Sequence, residues 1–163
     1  MATVIEGKDL IVSFLGPTEF WPSTPPEFYV QAYKTIFETM RKYKVKVIYA
    51  IGTPYTPDNK DRNSRIARFA SFIFRILTHN LWKSFVLIGN LFDTEAEDLS
   101  WTIVRVGRLS DGMNGKTSAF EYVGAPGWTP NTTRVGVAGW IVNQIDRDDQ
   151  DWIQKKPAVS TSK

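Results

Sequence analysis

The chain contains no cysteine and a single histidine, His79. Without cysteine there is no disulfide, no thiolate nucleophile and no Cys-ligated zinc. The composition fits a reducing, cytoplasmic setting. One histidine without clustered carboxylates offers no ligand set, so no metal is expected. Charge of one sign is scarce too. Lys and Arg number 20 against 17 Asp and Glu, for a net +3, and no run of like charge reaches five residues. A mixed, solvated surface follows, and nucleic acid is not an expected partner. No apolar run is long enough to cross a bilayer. The opening MATVIEGKDLIVSFLG sets Glu6, Lys8 and Asp9 before a short apolar stretch, which is neither a signal peptide nor a spanning helix. There is no internal repeat, no low-complexity segment and no G-x-S-x-G elbow.

What remains is 163 residues, 42% hydrophobic and 13% aromatic. That is enough for one well-packed domain, read here as 1–155 with a flexible tail at 156–163. The segment DLIVSFL (9–15) is a near-continuous apolar run, the pattern of a strand buried on both faces. STPPEFYVQAYKTIFETMRKYKV follows as a helix. Thr24 is its N-cap, Pro25 its first residue, and Glu27 completes a capping-box spacing. Tyr29, Tyr33, Ile36, Phe37 and Met40 recur at three- and four-residue intervals on one face. VKVIYAIGT (45–53) is a second buried strand, so 9–53 forms a right-handed βαβ unit with parallel strands. Residues 64–80 and 81–97 read as apolar and amphipathic helices. LSWTIVRVGRLSDG (99–112) is the third strand with its exit loop, SAFEYVG a short strand, and TTRVGVAGWIVNQI a helix. The tail AVSTSK begins as a strand. The fold class is α/β, a truncated Rossmann-like parallel sheet with flanking helices.

Four blocks, EGKDLIVSFLGP, VKVIYAIGT, EDLSWTIVRVGRLSDG and TTRVGVAGWIV, resemble in order the second half of atypical short-chain dehydrogenase/reductases of the NmrA-like type. The likeness covers about residues 5 to 145, and LSWTIVR is its most specific part. Thr53 matches the family's Ser/Thr at the end of the corresponding strand. The departures carry weight. The family's first strand and its G-x-x-G-x-x-G turn fall in roughly the first 70 residues of a full domain, and this sequence holds no counterpart. GVAG (136–139) lies inside a helix pattern instead. The family's Tyr-x-x-x-Lys falls near Lys83 and Leu87, which supply neither. Its proline after the third strand is Val106, and its helix aspartate is Gly136. The resemblance therefore implies half a Rossmann sheet without the family's hydride transfer, and no cofactor. The chain is read as a genuine short protein. Missing strands would leave one side of the sheet bare. A homodimer or higher oligomer is expected through that side and the apolar 64–92 helices.

In open α/β sheets, ligands bind outside the carboxyl ends of the strands. Three loops qualify: 16–22, 53–61 and 105–112. They carry Glu19, Trp21, Thr53, Tyr55, Asp58, Arg105, Arg108 and Asp111. Candidate catalytic residues are Glu19 or Asp58 with Tyr55 or His79. Glu19 sits beside Phe20 and Trp21, aromatics that would raise its pKa and shape a wall. His79 would be a proton shuttle if it faces the pocket. Phe20, Trp21, Thr53, Arg105, Arg108 and Asp111 are candidate substrate contacts. Each has a plainer alternative: Glu19 a solvated acid, Tyr55 loop packing, Asp58 and Asp111 turn formers, Arg105 a structural ion-pair partner, His79 a cap. The expected function is a cofactor-independent enzyme of specialised (secondary) metabolism. It would catalyse isomerisation, cyclisation (a pericyclic closure included) or dehydration of a small organic substrate. Two alternatives stand beside it, an NAD(P)H-dependent oxidoreductase and a non-catalytic regulatory or oligomerisation module.

Overall fold

The computed structural model describes residues 2–19, 21–63, 72, 75–112, 115–147 and 151–161. After a short helix α1 (Ala2–Ile5), three strands pair in parallel: β1 (Leu10–Ser13), β2 (Val47–Gly52) and β3 (Ser100–Val106). In register, Leu10 lies beside Val47, and Val47 beside Ser100. Helix α2 (Pro26–Tyr43) joins β1 to β2, and α3 (His79–Glu95) precedes β3. A small parallel pair follows, β4 (Arg108–Ser110) with β6 (Asn131–Thr133). Between them runs β5 (Thr117–Phe120), and helix α4 (Arg134–Asp146) comes after β6. The last strand, β7 (Ala158–Thr161), returns to the main sheet, whose order is β1-β2-β3-β7-β5.

The alternation of β2 and β3 splits the core into two layers. Ile48, Ala50, Trp101 and Ile103 face α2 and α3, where Tyr33, Phe37 and Phe92 are almost wholly buried. Phe92 meets Phe37 edge-on at 4.9 Å and Trp101 at 5.6 Å. Each such ring contributes about 1.5–3 kcal/mol by burial and about 0.5–1.5 kcal/mol by ring geometry. Tyr49, Val104 and Val106 face the other way, onto Val137 and Ile141 of α4. The helical periodicity read from α2 is the observed one: Tyr29, Tyr33, Ile36, Phe37 and Met40 are all buried.

Three expectations change. First, β1 is an edge strand, open on one face. Ile11 and Leu15 pack on the α2 side, whereas Val12 is 37% and Phe14 69% exposed. An apolar run predicts burial only if a neighbour covers it, and the cluster under α4 takes residues of β2, β3, β5 and β7 but none of β1. Second, Thr24 does not cap α2. Pro25 holds the N-cap position in extended geometry, with no side-chain cap bond. Glu27 instead pairs with Lys83 at 2.7 Å. Third, the tail is part of the sheet. Ala158 and Val159 are fully buried, Ser160 nearly so, because β7 pairs with β3 on one side and β5 on the other. Most of the helix expected at 64–80 lies outside the described residues. Of the remainder, Phe72, Ile76 and Leu77 are exposed. Among the described residues no helix is long and apolar enough to cross a membrane.

Candidate functional site

The carboxyl ends of β1, β2 and β3 open into a cleft of about 1110 Å³. Its floor and walls are mostly apolar, with Phe85, Val106, Leu109 and Trp128 prominent. Polar groups enter from three sides: Thr18 and Glu19 after β1, Thr53 and Tyr55 after β2, Arg108 and Arg134 beyond β3.

Local hydrogen bonds fix the β2 exit. Thr56 N donates to the Thr53 carbonyl at 2.9 Å. Thr53 N donates to Thr56 Oγ1 at 3.2 Å, and Tyr55 N to Thr53 Oγ1 at 3.3 Å. The Thr53 hydroxyl is thereby oriented at the cleft wall with its own proton still to give. Burial pushes the Tyr55 phenol above its ordinary value of 10.0. Like any phenol it is protonated at neutral pH and can donate a hydrogen bond. The β3 exit is equally constrained. Arg108 N donates to the Pro130 carbonyl at 2.7 Å. A Cβ on Gly107 would lie 2.2 Å from that oxygen, so only glycine fits.

Behind the wall lies a buried ionic strap. Arg105 is fully buried. Its Nε donates to the Lys156 carbonyl at 2.6 Å and its Nη1 to Asp61 Oδ2 at 2.5 Å. Asp61 Oδ1 in turn accepts from Val123 N at 3.0 Å, and Val123 lines the cleft. Lys156, also buried, pairs with Asp93 at 2.6 Å and donates to the Pro57 carbonyl at 2.9 Å. These bonds tie the 53–61 loop and the 121–125 turn to the sheet.

The structure gathers Glu19, Thr53, Tyr55 and Arg108 at the cleft. Of the other candidates that are described, none lines it. Phe20 lies outside the described residues. Trp21 is 79% exposed and is not in the cleft wall. Asp58 accepts from Lys60 N at 2.8 Å, the bond of a turn former. His79 opens α3 on the surface, its ring 6.1 Å from that of Trp82. Arg105 is the structural ion-pair partner described above, sealed from any substrate. Asp111 is exposed and pairs with Arg134 at 2.7 Å. Arg134 and Trp128 were missed from sequence, although TTR precedes an evident helix and Trp128 stands in a Gly/Pro-rich turn, GAPGWTP. Asp61 was hidden in a polar loop.

Several solved structures share this fold. A short-chain dehydrogenase/reductase from Veillonella parvula, in complex with NADP, superposes with a TM-score of 0.70 at 11% identity, over 98% of this chain and 65% of its own. The oxidoreductase ylbE from Lactococcus lactis gives 0.62 at 19% identity, covering 100% of this chain and 66% of its own. ChuY, an anaerobilin reductase from Escherichia coli O157:H7, gives 0.63 at 19%, covering 98% and 67%. The chain thus spans just under two thirds of the first two proteins. No curated protein matches it by sequence. A family model described as NAD(P)H-binding matches residues 1–148. That match overturns the cofactor-independent isomerase, cyclase or dehydratase expected from sequence. The family blocks that are present extend over nearly the whole length, and they outweigh the absent glycine turn. The chain belongs to the NAD(P)H-binding family and carries the Rossmann-like sheet of the short-chain dehydrogenase/reductases.

Proposed function

We propose that the chain forms the nicotinamide and substrate end of an NAD(P)H-dependent oxidoreductase that reduces a small organic substrate. The observation that carries this is the NAD(P)H-binding match over residues 1–148, with the cleft at the carboxyl ends of three parallel strands. Parallel sheets bind their nucleotides there.

The residues present fit one end of that cofactor. The cleft has apolar walls for a nicotinamide ring, and Thr18 in its lining offers a hydroxyl to a ribose. The sequence given holds no glycine-rich turn, so the pyrophosphate falls beyond the open edge of β1, outside these residues. When bound, NAD(P)H supplies a hydride to the substrate.

The chain's own groups supply the rest. The apolar walls exclude water and strengthen each polar contact inside. Thr53 Oγ1, which accepts from Tyr55 N–H and keeps its own proton, donates that proton in a hydrogen bond to a substrate oxygen. Tyr55, protonated at neutral pH as phenols are, gives its proton to the oxygen that gains charge, and solvent at the mouth restores it. A second copy on the open face of β1 belongs to the same proposal.

Native mass spectrometry with NADPH and NADH tests this. One nucleotide per chain is the expected result, on a dimer. A chain that retains neither nucleotide overturns the reading.

A further inference from the structure

We propose that the β3 side of the cleft is a carboxylate site, and that the substrate is an apolar, ring-bearing carboxylate held by Arg108 and Arg134. The inference rests on the oxidoreductase reading only in calling that ligand the substrate.

Two guanidiniums, Arg108 and Arg134, line the cleft, and among the described residues that line it the one acid is Glu19, which follows β1. Glu19 lies in the loop after β1 and Arg108 just past β3, strands that stand two spacings apart, or about 10 Å. The cleft is therefore polarised along the sheet. Arg108 begins β4 and Arg134 follows β6 directly; they stand at opposite ends of the parallel β4–β6 ladder, and both line the cleft. Among the described residues the Arg108 guanidinium has no partner. Arg134 commits one nitrogen, Nη1, to the exposed Asp111, which leaves the rest of its fork for a ligand. A guanidinium fork matches a carboxylate in two parallel bonds. Beside apolar walls water competes poorly for those bonds, and they are stronger for it. Tyr55, Phe85 and Trp128 supply ring surface for the remainder of the ligand.

Cofactor phosphates do not account for the pair. In a sheet of this topology the pyrophosphate lies at the switch point, on the far side of β1. The arginines lie at the other end, past β3.

The test is isothermal titration calorimetry of the full chain with 2-naphthoate and with its uncharged twin, 2-naphthamide. The wild type is expected to bind naphthoate about tenfold more tightly. In Arg108→Gln/Arg134→Gln that preference should vanish while naphthamide affinity stays, which also reports an intact cleft. Equal affinities in the wild type, or a preference that survives in the double variant, overturn the proposal. So does a double variant that loses NADPH together with naphthoate, since the arginines would then hold the cofactor. A wild type that prefers naphthoate yet takes up no nucleotide supports the carboxylate site and removes the oxidoreductase reading alone.

Discussion

Asp61 meets the fully buried Arg105 at 2.5 Å through one carboxylate oxygen and holds the backbone N–H of Val123 with the other, at 3.0 Å. One side chain thus compensates a buried charge and fastens a cleft-lining turn. Removing one partner of such a pair strands the other, at about 3–5 kcal/mol. Asp61→Ala is expected to lower the stability by about 3 kcal/mol, read as a reduced urea midpoint at constant slope. An unchanged midpoint would show that solvent already serves Arg105.

Gly107→Ala places a methyl 2.2 Å from the Pro130 carbonyl oxygen. That atom belongs to the backbone and already accepts from Arg108 N, so it cannot turn aside. The expected cost is about 1–3 kcal/mol, seen as a lower melting temperature. A variant with wild-type melting would mean that β4 and β6 separate without penalty.

Lys44 ends α2 in the left-handed region, with φ 59°. Its N–H bonds the Arg41 carbonyl, and Val45 N bonds that of Met40 at 2.9 Å, a Schellman closure that favours glycine. Lys44→Gly should raise stability by about 0.5–1 kcal/mol. A loss of stability would argue that the lysine side chain matters more than its backbone.

Tyr33 is almost wholly buried, and desolvation pushes its phenol from 10.0 to about 12. Between those values the folded chain keeps a proton that the unfolded chain has released. Its contribution is therefore complete below pH 10 and is lost as pH rises toward 12, at up to about 1.4 kcal/mol per pH unit. Urea titrations across pH 9 to 12 should show this fall, and Tyr33→Phe should flatten it. Equal slopes in both proteins would assign the alkaline loss to other groups.

Tyr55→Phe removes the proposed proton donor and little of the wall. A general acid contributes about 10² to 10⁴ in rate. The variant is expected to lose at least about 100-fold in kcat with KM little changed. A loss confined to KM would make Tyr55 a packing residue.

Much of this site was legible because its signals are local. The runs VSFL, VIYAIG and TIVRV announce strands, the Tyr29–Met40 spacing announces a helix, and the exits of consecutive parallel strands mark a cleft. Glu19, Thr53, Tyr55 and Arg108 follow from that rule alone. Trp21 and His79 did not follow, since their loop and helix end turn outward, which no local pattern reveals. Arg105 and Arg134 were both arginines beside a strand or helix. Only the path of β7 and the loop carrying Asp61 seal the first, and only the β4–β6 pairing brings the second to the wall.

By itself, then, the sequence determined the order of βαβ elements and the end of the sheet where a ligand sits, because hydrophobic period and strand direction are properties of neighbouring residues. Tertiary structure alone decided that β1 keeps one face open, that the strand at 158–161 is buried between β3 and β5, and that Arg108 and Arg134 share a cleft with Glu19. Each of these depends on which distant segment pairs with or covers another. Burial and charge compensation between distant segments exist only once the chain has closed on itself.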